Sequence, residues 1–454
     1  MKLKNVTQLL LSAFVIASLA SSCVKEGPMG LTGSAGADGK DGKDANETCK
    51  ICHTSTSVDK ISTQFQFSKH EYGEAAFEEA GNTGCTPCHT QDAFLYMVKN
   101  KVPATFTLNT ATGKYVNGYA AVPSSTLGEI GCSTCHSALH TTYGTADLAF
   151  TTVAPVPMTM WGGTKTIDLK ADGGQSNLCV KCHQPRPFTN ALTSNVLDYN
   201  MLATTTGMVY DGNPTGTTNI VRPSYRLHTH YGAIGAVYAG VGGVEFPGIP
   251  YTNSAHTQGA SCSDCHMGTI VGRAGGHTFN AVGKFDGCST TGCHTAPITA
   301  ATTTLWLNPR AEIKKLLNDL AAKLTVGGVD ILNRNGNTNE AVGGVNLWAG
   351  LTTNNYDGYL NIYDPVTNPL MQFYPKNDVM VVNNPSSFKF IGTPPATWSA
   401  AQIAYNNTLP PFPALSYAQM GALINFQLCL RDYSLGIHNF LYTKALLTNS
   451  IAKL

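Results

Sequence analysis

The chain has 454 residues, enough for one large domain or two or three smaller ones. Charged residues make up only 13%, Lys plus Arg (29) nearly balance Asp plus Glu (28), and Gly (45) and Pro (23) are abundant. This balance lacks the basic surface that nucleic acid requires, and the loop-forming composition argues against a bundle of long polar helices.

In chain order, residues 1–22 read as an export signal. Lys2 and Lys4 form a basic start, and an apolar run follows from Leu9 to Ala20. The run is too short to span a bilayer, which takes roughly 20 residues. Ser21 and Ser22 then precede Cys23, and Ala20-Ser21-Ser22-Cys23 resembles a loose bacterial lipobox. That resemblance implies lipidation of Cys23 and a membrane partner through the lipid. The alternative is an ordinary cleaved signal with Cys23 incidental. No other stretch is long and apolar enough for a transmembrane helix.

Residues 23–48 form the expected anchor and tether. Gly recurs every third residue at Gly27, Gly30, Gly33, Gly36, Gly39 and Gly42, a collagen-like pattern. With Pro28 as the run's one proline, a solvated tether is expected rather than a triple helix. Fully extended, it reaches at most about 80 Å.

Residues 49–300 hold most of the cysteines in a Gly-, Thr-, Ala- and Pro-rich context without sustained periodicity. Short helices, long loops and little sheet are expected. Residues 301–454 hold one cysteine, Cys429, and one histidine, His438. A helix is predicted from Asn308 as N-cap with Pro309 at N1, with Ile313, Leu316, Leu317, Leu320 and Leu324 as its apolar stripe. A second starts at Ser416 with Gln419 completing a capping box, and buries Leu423, Phe426 and Leu430 on one face. A third runs from after Asn439 to the end. Loops and short strands are expected between the first two. Cys429 and the tryptophans Trp161, Trp306, Trp348 and Trp398 read as packing residues. The fold class is therefore mainly α with long irregular loops and little sheet.

The chemistry lies in five C-x-x-C-H units: Cys49-Cys52-His53, Cys85-Cys88-His89, Cys132-Cys135-His136, Cys179-Cys182-His183 and Cys262-Cys265-His266. A sixth, Cys288-Cys293-His294, has a longer insert. This spacing is the c-type haem attachment signature. Two thiols add across the two vinyl groups of one porphyrin edge, and the adjacent His ligates iron from below. Disulfides or zinc pairs are the alternatives, but neither needs a His after every second Cys. For Cys288 and Cys293 a local disulfide with His294 idle stays open. Six haem c groups are expected, five firmly and one on the longer unit.

Seven other histidines remain: His70, His140, His228, His230, His256, His277 and His438. Six bis-imidazole irons need six of them. His140, four residues after His136, shares its side in a helix and would serve a neighbouring haem. His228 and His230 are two apart and would compete for one iron, so one of them is expected to ligate. Met267 follows a residue that already occupies its own haem and is a poor ligand candidate.

Several stretches are similar to the pentahaem nitrite reductase and octahaem cytochrome superfamily. They are Ser68-Lys69-His70, His230-Tyr231-Gly232 through Gly240-Val241-Gly242-Gly243-Val244-Glu245-Phe246, Tyr251 to His256, Cys262 to Met267, and Gly275-Gly276-His277-Thr278-Phe279. The C-terminal Asp432-Tyr433-Ser434-Leu435-Gly436-Ile437-His438-Asn439 belongs with them. The resemblance implies that His70, His230, His256, His277 and His438 are distal ligands, with His140 completing the set. It further implies that the C-terminal helices fold back onto the haem core to supply His438. Those reductases typically carry a C-x-x-C-K haem, and this chain has none.

Bis-imidazole ligation favours low potentials and leaves no open iron. The first expectation is a low-potential electron conduit at the cell envelope or cell surface, passing electrons to redox proteins or an external acceptor, with no catalytic residues. A reductase of a small nitrogen or sulfur oxyanion, and a subunit of an extracellular haem filament, are the alternatives; the last makes a homo-oligomer. Signal removal and twelve propionates would take the formal charge from +1 to roughly −13. Arg186, Arg222 and Arg226 are candidate propionate partners.

Overall fold

The computed structural model describes residues 55–72, 85–100, 106–109, 114–117, 128–136, 138–139, 141–142, 145–161, 164–281, 283–289, 292–334, 341–342, 345–346, 356–365, 374–376, 379–381 and 388–454. The export signal, Cys23, the tether, Cys49, Cys52, His53, His140 and Trp348 lie outside them.

The described chain is mainly helical with little sheet. Its first part carries short helices: α1 (Ser55–Gln66), α2 (Lys69–Tyr72), α3 (Thr86–His89), α4 (Gln91–Lys99), α5 (Cys132–Cys135), α6 (Ser176–Cys182), α7 (Tyr199–Thr204), α8 (Ile234–Tyr238), α9 (His256–Gly259) and α10 (Cys262–His266). Four further helices follow, three of them longer: α11 (Asn308–Lys323), α12 (Ala400–Thr408), α13 (Tyr417–Arg431) and α14 (Phe440–Lys453). The described strands form only two-stranded antiparallel pairs. One of these is non-local, joining Leu415–Ser416 to Met208–Tyr210.

The long helices start where side chains cap them. Ser416 accepts from the Gln419 N–H (3.1 Å) while Gln419 Oε1 accepts from the Ser416 N–H (3.0 Å), the reciprocal box expected from the sequence. The last helix begins after Asn439, as expected, and the Asn439 side chain caps it. The first long helix differs in detail. A π-turn over Thr303–Leu307 leads straight into α11, so Asn308 is already helical and the cap position falls on Leu307. Pro309 still sits in the first turn, where its missing N–H costs nothing.

Helix α13 is not the one-faced helix its apolar spacing suggests. Every residue from Met420 to Arg431 is buried, so it is the central rod of the core. Its polar side chains bond to distant backbone. Asn425 pairs with both the N–H (2.7 Å) and the carbonyl (2.8 Å) of Val244, and Gln427 donates to the Leu227 and Gly358 carbonyls (2.7 Å each). Gly421 is required by the close approach of Phe246, whose ring would lie 2.6 Å from any Cβ placed there.

One contiguous apolar core runs from Val156 through the segment 233–246 to α11, α13 and α14. It contains Cys429, and the Trp161 ring packs on its margin. Trp398 is buried separately against Tyr363 and Phe390, and Trp306 packs against Phe285. The C-terminal helices therefore share a core with the middle of the chain rather than forming their own. The segments around α3 and α5 join only a small cluster of Phe94, Met97 and Leu178, against which Cys135 and Cys182 pack.

Candidate functional site

In α3, α5, α6 and α10 the two cysteines of a unit stand three residues apart on helical backbone, which puts both thiols on one face. The following histidine then turns back over its own unit. Its N–H donates to the carbonyl of the first cysteine: His89 to Cys85 (3.2 Å), His136 to Cys132 (2.9 Å) and His183 to Cys179 (3.0 Å). The longer unit is not helical, yet His294 N–H bonds the Cys288 carbonyl at 3.1 Å. The closing bond is kept despite the longer insert. No disulfide joins Cys288 to Cys293 or any other pair of the described cysteines.

The histidines meet in pairs. His89 faces His230 with ring centroids 6.1 Å apart and planes at 15°. His266 faces His438 at 6.2 Å and 28°. His183 faces His70 at 6.0 Å and 69°, and His294 faces His256 at 6.0 Å and 87°. His136 is an electrostatic neighbour of His277. Each pair joins the histidine of a cysteine unit to one from elsewhere in the chain. An imidazole nitrogen lies about 2 Å from a metal it binds, so two rings on opposite sides of one ion have centres about 6 Å apart. The four measured separations fit that arrangement.

Backbone strain aims several of these rings. His230 adopts φ +80°, a left-handed conformation rare for a side-chain-bearing residue. His277 follows Gly275 (φ +85°) and Gly276 (φ +52°), a turn that only glycine enters freely, and its N–H donates to Gln64 Oε1 of α1 (3.1 Å). Phe279 (φ +53°) packs on His70 at 4.9 Å and offers its carbonyl to His266 Nδ1 (2.9 Å).

That carbonyl belongs to a pattern. His136 Nδ1 lies 2.8 Å from the Leu148 carbonyl and His256 Nδ1 3.0 Å from the Ile437 carbonyl; His183 bonds backbone at Gly232. A carbonyl only accepts, so each Nδ1 carries the proton and each Nε2 keeps its lone pair for a metal. His438 Nδ1 instead meets the Asp432 carboxylate at 2.7 Å. His230 is the exception: its Nδ1 accepts the Tyr231 backbone N–H (2.6 Å), which in a neutral ring leaves the proton on Nε2.

Burial holds most of these imidazoles in the neutral, ligating form. It lowers the basicity of His70, His266, His277 and His230 and takes His183 down to about 4. His438 moves the other way. Burial opposes its charging, but Asp432 outweighs burial and raises it.

His228 stands apart from the pairs. Its ring lies 6.4 Å from His230, but among the described residues it faces no histidine of a cysteine unit. Its Nδ1 accepts the His230 backbone N–H (2.9 Å). It is buried, which together with the charges of Arg431 and Arg186 pushes its basicity far down. Of the two alternatives in the sequence, the structure puts His230 opposite a unit histidine and leaves His228 packing behind it.

The units also touch one another. Cys88 Sγ reaches the Lys181 carbonyl (3.8 Å) beside Cys182, and the Cys262 N–H donates to Ser176 Oγ (3.0 Å) in the helix that carries Cys179. Cys135 neighbours Cys179 and Cys182, and Cys265 neighbours Cys288 and Cys293. Among the described residues no three or more His, Cys, Asp or Glu side chains converge as they would around a bare metal ion. The donors come as imidazole pairs beside thiol pairs, which suits an iron whose four equatorial ligands come from a porphyrin and does not suit zinc.

Comparison with known proteins adds no family. No family model, curated protein or solved structure matches the chain.

Proposed function

We propose that the chain is an exported multihaem c-type cytochrome that moves electrons along a row of bis-imidazole haems at the cell envelope. The supporting observation is that four unit histidines each face a distal histidine at 6.0–6.2 Å. A haem at each unit supplies a one-electron Fe(III)/Fe(II) couple. The thiol pairs of Cys85/Cys88, Cys132/Cys135, Cys179/Cys182, Cys262/Cys265 and Cys288/Cys293 hold it covalently. Cys49/Cys52 with His53 make the sixth unit, and His140 is the histidine left to serve it.

The thiol contacts support an order in space. The Cys85 unit abuts the Cys179 unit, which abuts the Cys262 unit, which abuts the Cys288 unit. The Cys132 unit docks beside the Cys179 unit. Attachment points that neighbour one another would leave an electron little protein to cross. A haem held by both imidazoles of a pair would leave none of these four units the open iron that a reductase needs. Export and lipid anchoring rest on residues 1–23; no described helix is long and apolar enough to cross a membrane.

The test is spectroscopic. Magnetic circular dichroism of the oxidised holoprotein should show low-spin iron only, unchanged by nitrite or hydroxylamine. A high-spin component that shifts on adding either would overturn the conduit reading.

A further inference from the structure

The carboxylate against His438 sets one site of the row apart. His438 Nδ1 meets a carboxylate, whereas among the described residues His136, His183, His256 and His266 meet backbone carbonyls. Asp432 has no solvent-exposed side-chain surface, so its charge is poorly screened. Ser434 Oγ donates to its other oxygen, and Ser434 Oγ also accepts the His438 N–H (3.1 Å). The turn between acid and ring is strained: Tyr433 (φ +62°) and Leu435 (φ +53°) are both left-handed, beside Gly436 at φ +87°. Such conformations persist only where the surroundings impose them, and here they hold one carboxylate against one ring.

We propose that Asp432 is a positioning residue that makes the Cys262/Cys265 site, with His266 and His438 as ligands, the lowest-potential site of the row. This rests on the cytochrome reading given above. A carboxylate draws the Nδ1 proton toward itself and gives the ring imidazolate character, which raises its donation to iron. Stronger donation and a buried negative charge both favour Fe(III) over Fe(II). Reduction would add one electron from a neighbouring haem to the iron, with no bond formed or broken, while the proton stays between Nδ1 and Asp432. The site lies between the Cys179 and Cys288 units, so the row carries an internal step that is uphill for the electron entering it.

The experiment is a potentiometric titration of the full-length holoprotein, followed by optical and EPR spectroscopy, with haem number fixed by mass. In Asp432→Asn the lowest midpoint should rise while the others hold, and the low-spin EPR signal that titrates with it should shift. Asp432→Glu should restore part of the wild-type position. If Asp432→Asn does not fold, Ser434→Ala is the second variant. It removes a donor from the carboxylate, strengthens its pull on Nδ1, and should move the same midpoint further down. A fully loaded Asp432→Asn protein with the lowest midpoint unchanged, or a Ser434→Ala protein with it unchanged or raised, overturns this inference alone. A chain that binds no haem overturns the cytochrome reading and this inference together.

Discussion

Replacing Asn439 by Ala should loosen the C-terminal helices from the middle of the chain. The Asn439 side chain is fully enclosed. Its Nδ2 donates to the Val237 carbonyl (3.1 Å) and to Asn253 Oδ1 (2.8 Å), and its Oδ1 accepts the Ser254 N–H (3.0 Å) and caps α14 at the Tyr442 N–H (3.4 Å). An N-cap is worth about 1 kcal/mol. Each buried group left without its partner costs about 1–3 kcal/mol. Partial relaxation and non-additivity bring the expected loss to about 3–5 kcal/mol. The residue adjoins His438, so iron at the Cys262/Cys265 site should also become open to carbon monoxide in the reduced protein. The assay is guanidinium unfolding of the holoprotein followed by far-ultraviolet circular dichroism, with carbon monoxide difference spectra alongside. A loss under about 1 kcal/mol, below the value of the cap alone, would refute the reasoning.

Three further outcomes are expected. His230→Ala should convert one iron to high spin, while His228→Ala should leave every iron low-spin; the reverse pattern would exchange their roles. EPR of the oxidised protein should separate two ligand geometries. Near-parallel rings, as at His89/His230 and His266/His438, split the iron d orbitals and give rhombic signals, whereas near-perpendicular rings, as at His183/His70 and His294/His256, give strongly anisotropic ones; a single uniform class would contradict the ring angles. Leu423→Ala, in the middle of the buried rod α13, should cost about 2–5 kcal/mol by denaturant unfolding without changing haem number.

The cysteine units were legible because their chemistry is written in consecutive residues, and the caps at Ser416 and Asn439 because capping is local. The histidines that face the units were expected only through supply and demand and a family resemblance. Nothing local separates His228 from His230, since the choice is made by a left-handed φ at His230 and by the distant placement of His89. The centrality of α13 was hidden because Asn425, Gln427 and Arg431 look like a solvent face until their partners in other segments are known. Asp432 lay in plain view six residues before His438, but its pairing depends on the turn between them. The order of the units in space depends on thiol contacts between segments up to 94 residues apart, such as Cys88 and Cys182, which no periodicity records.

The most direct test of the cytochrome reading is the intact mass of the mature protein from a host that attaches haem c. The account expects the chain from Cys23 onward plus a lipid and six haems, falling by one haem when Cys288 and Cys293 are both replaced by Ser. A mass equal to the polypeptide, or to the polypeptide with zinc, would contradict it.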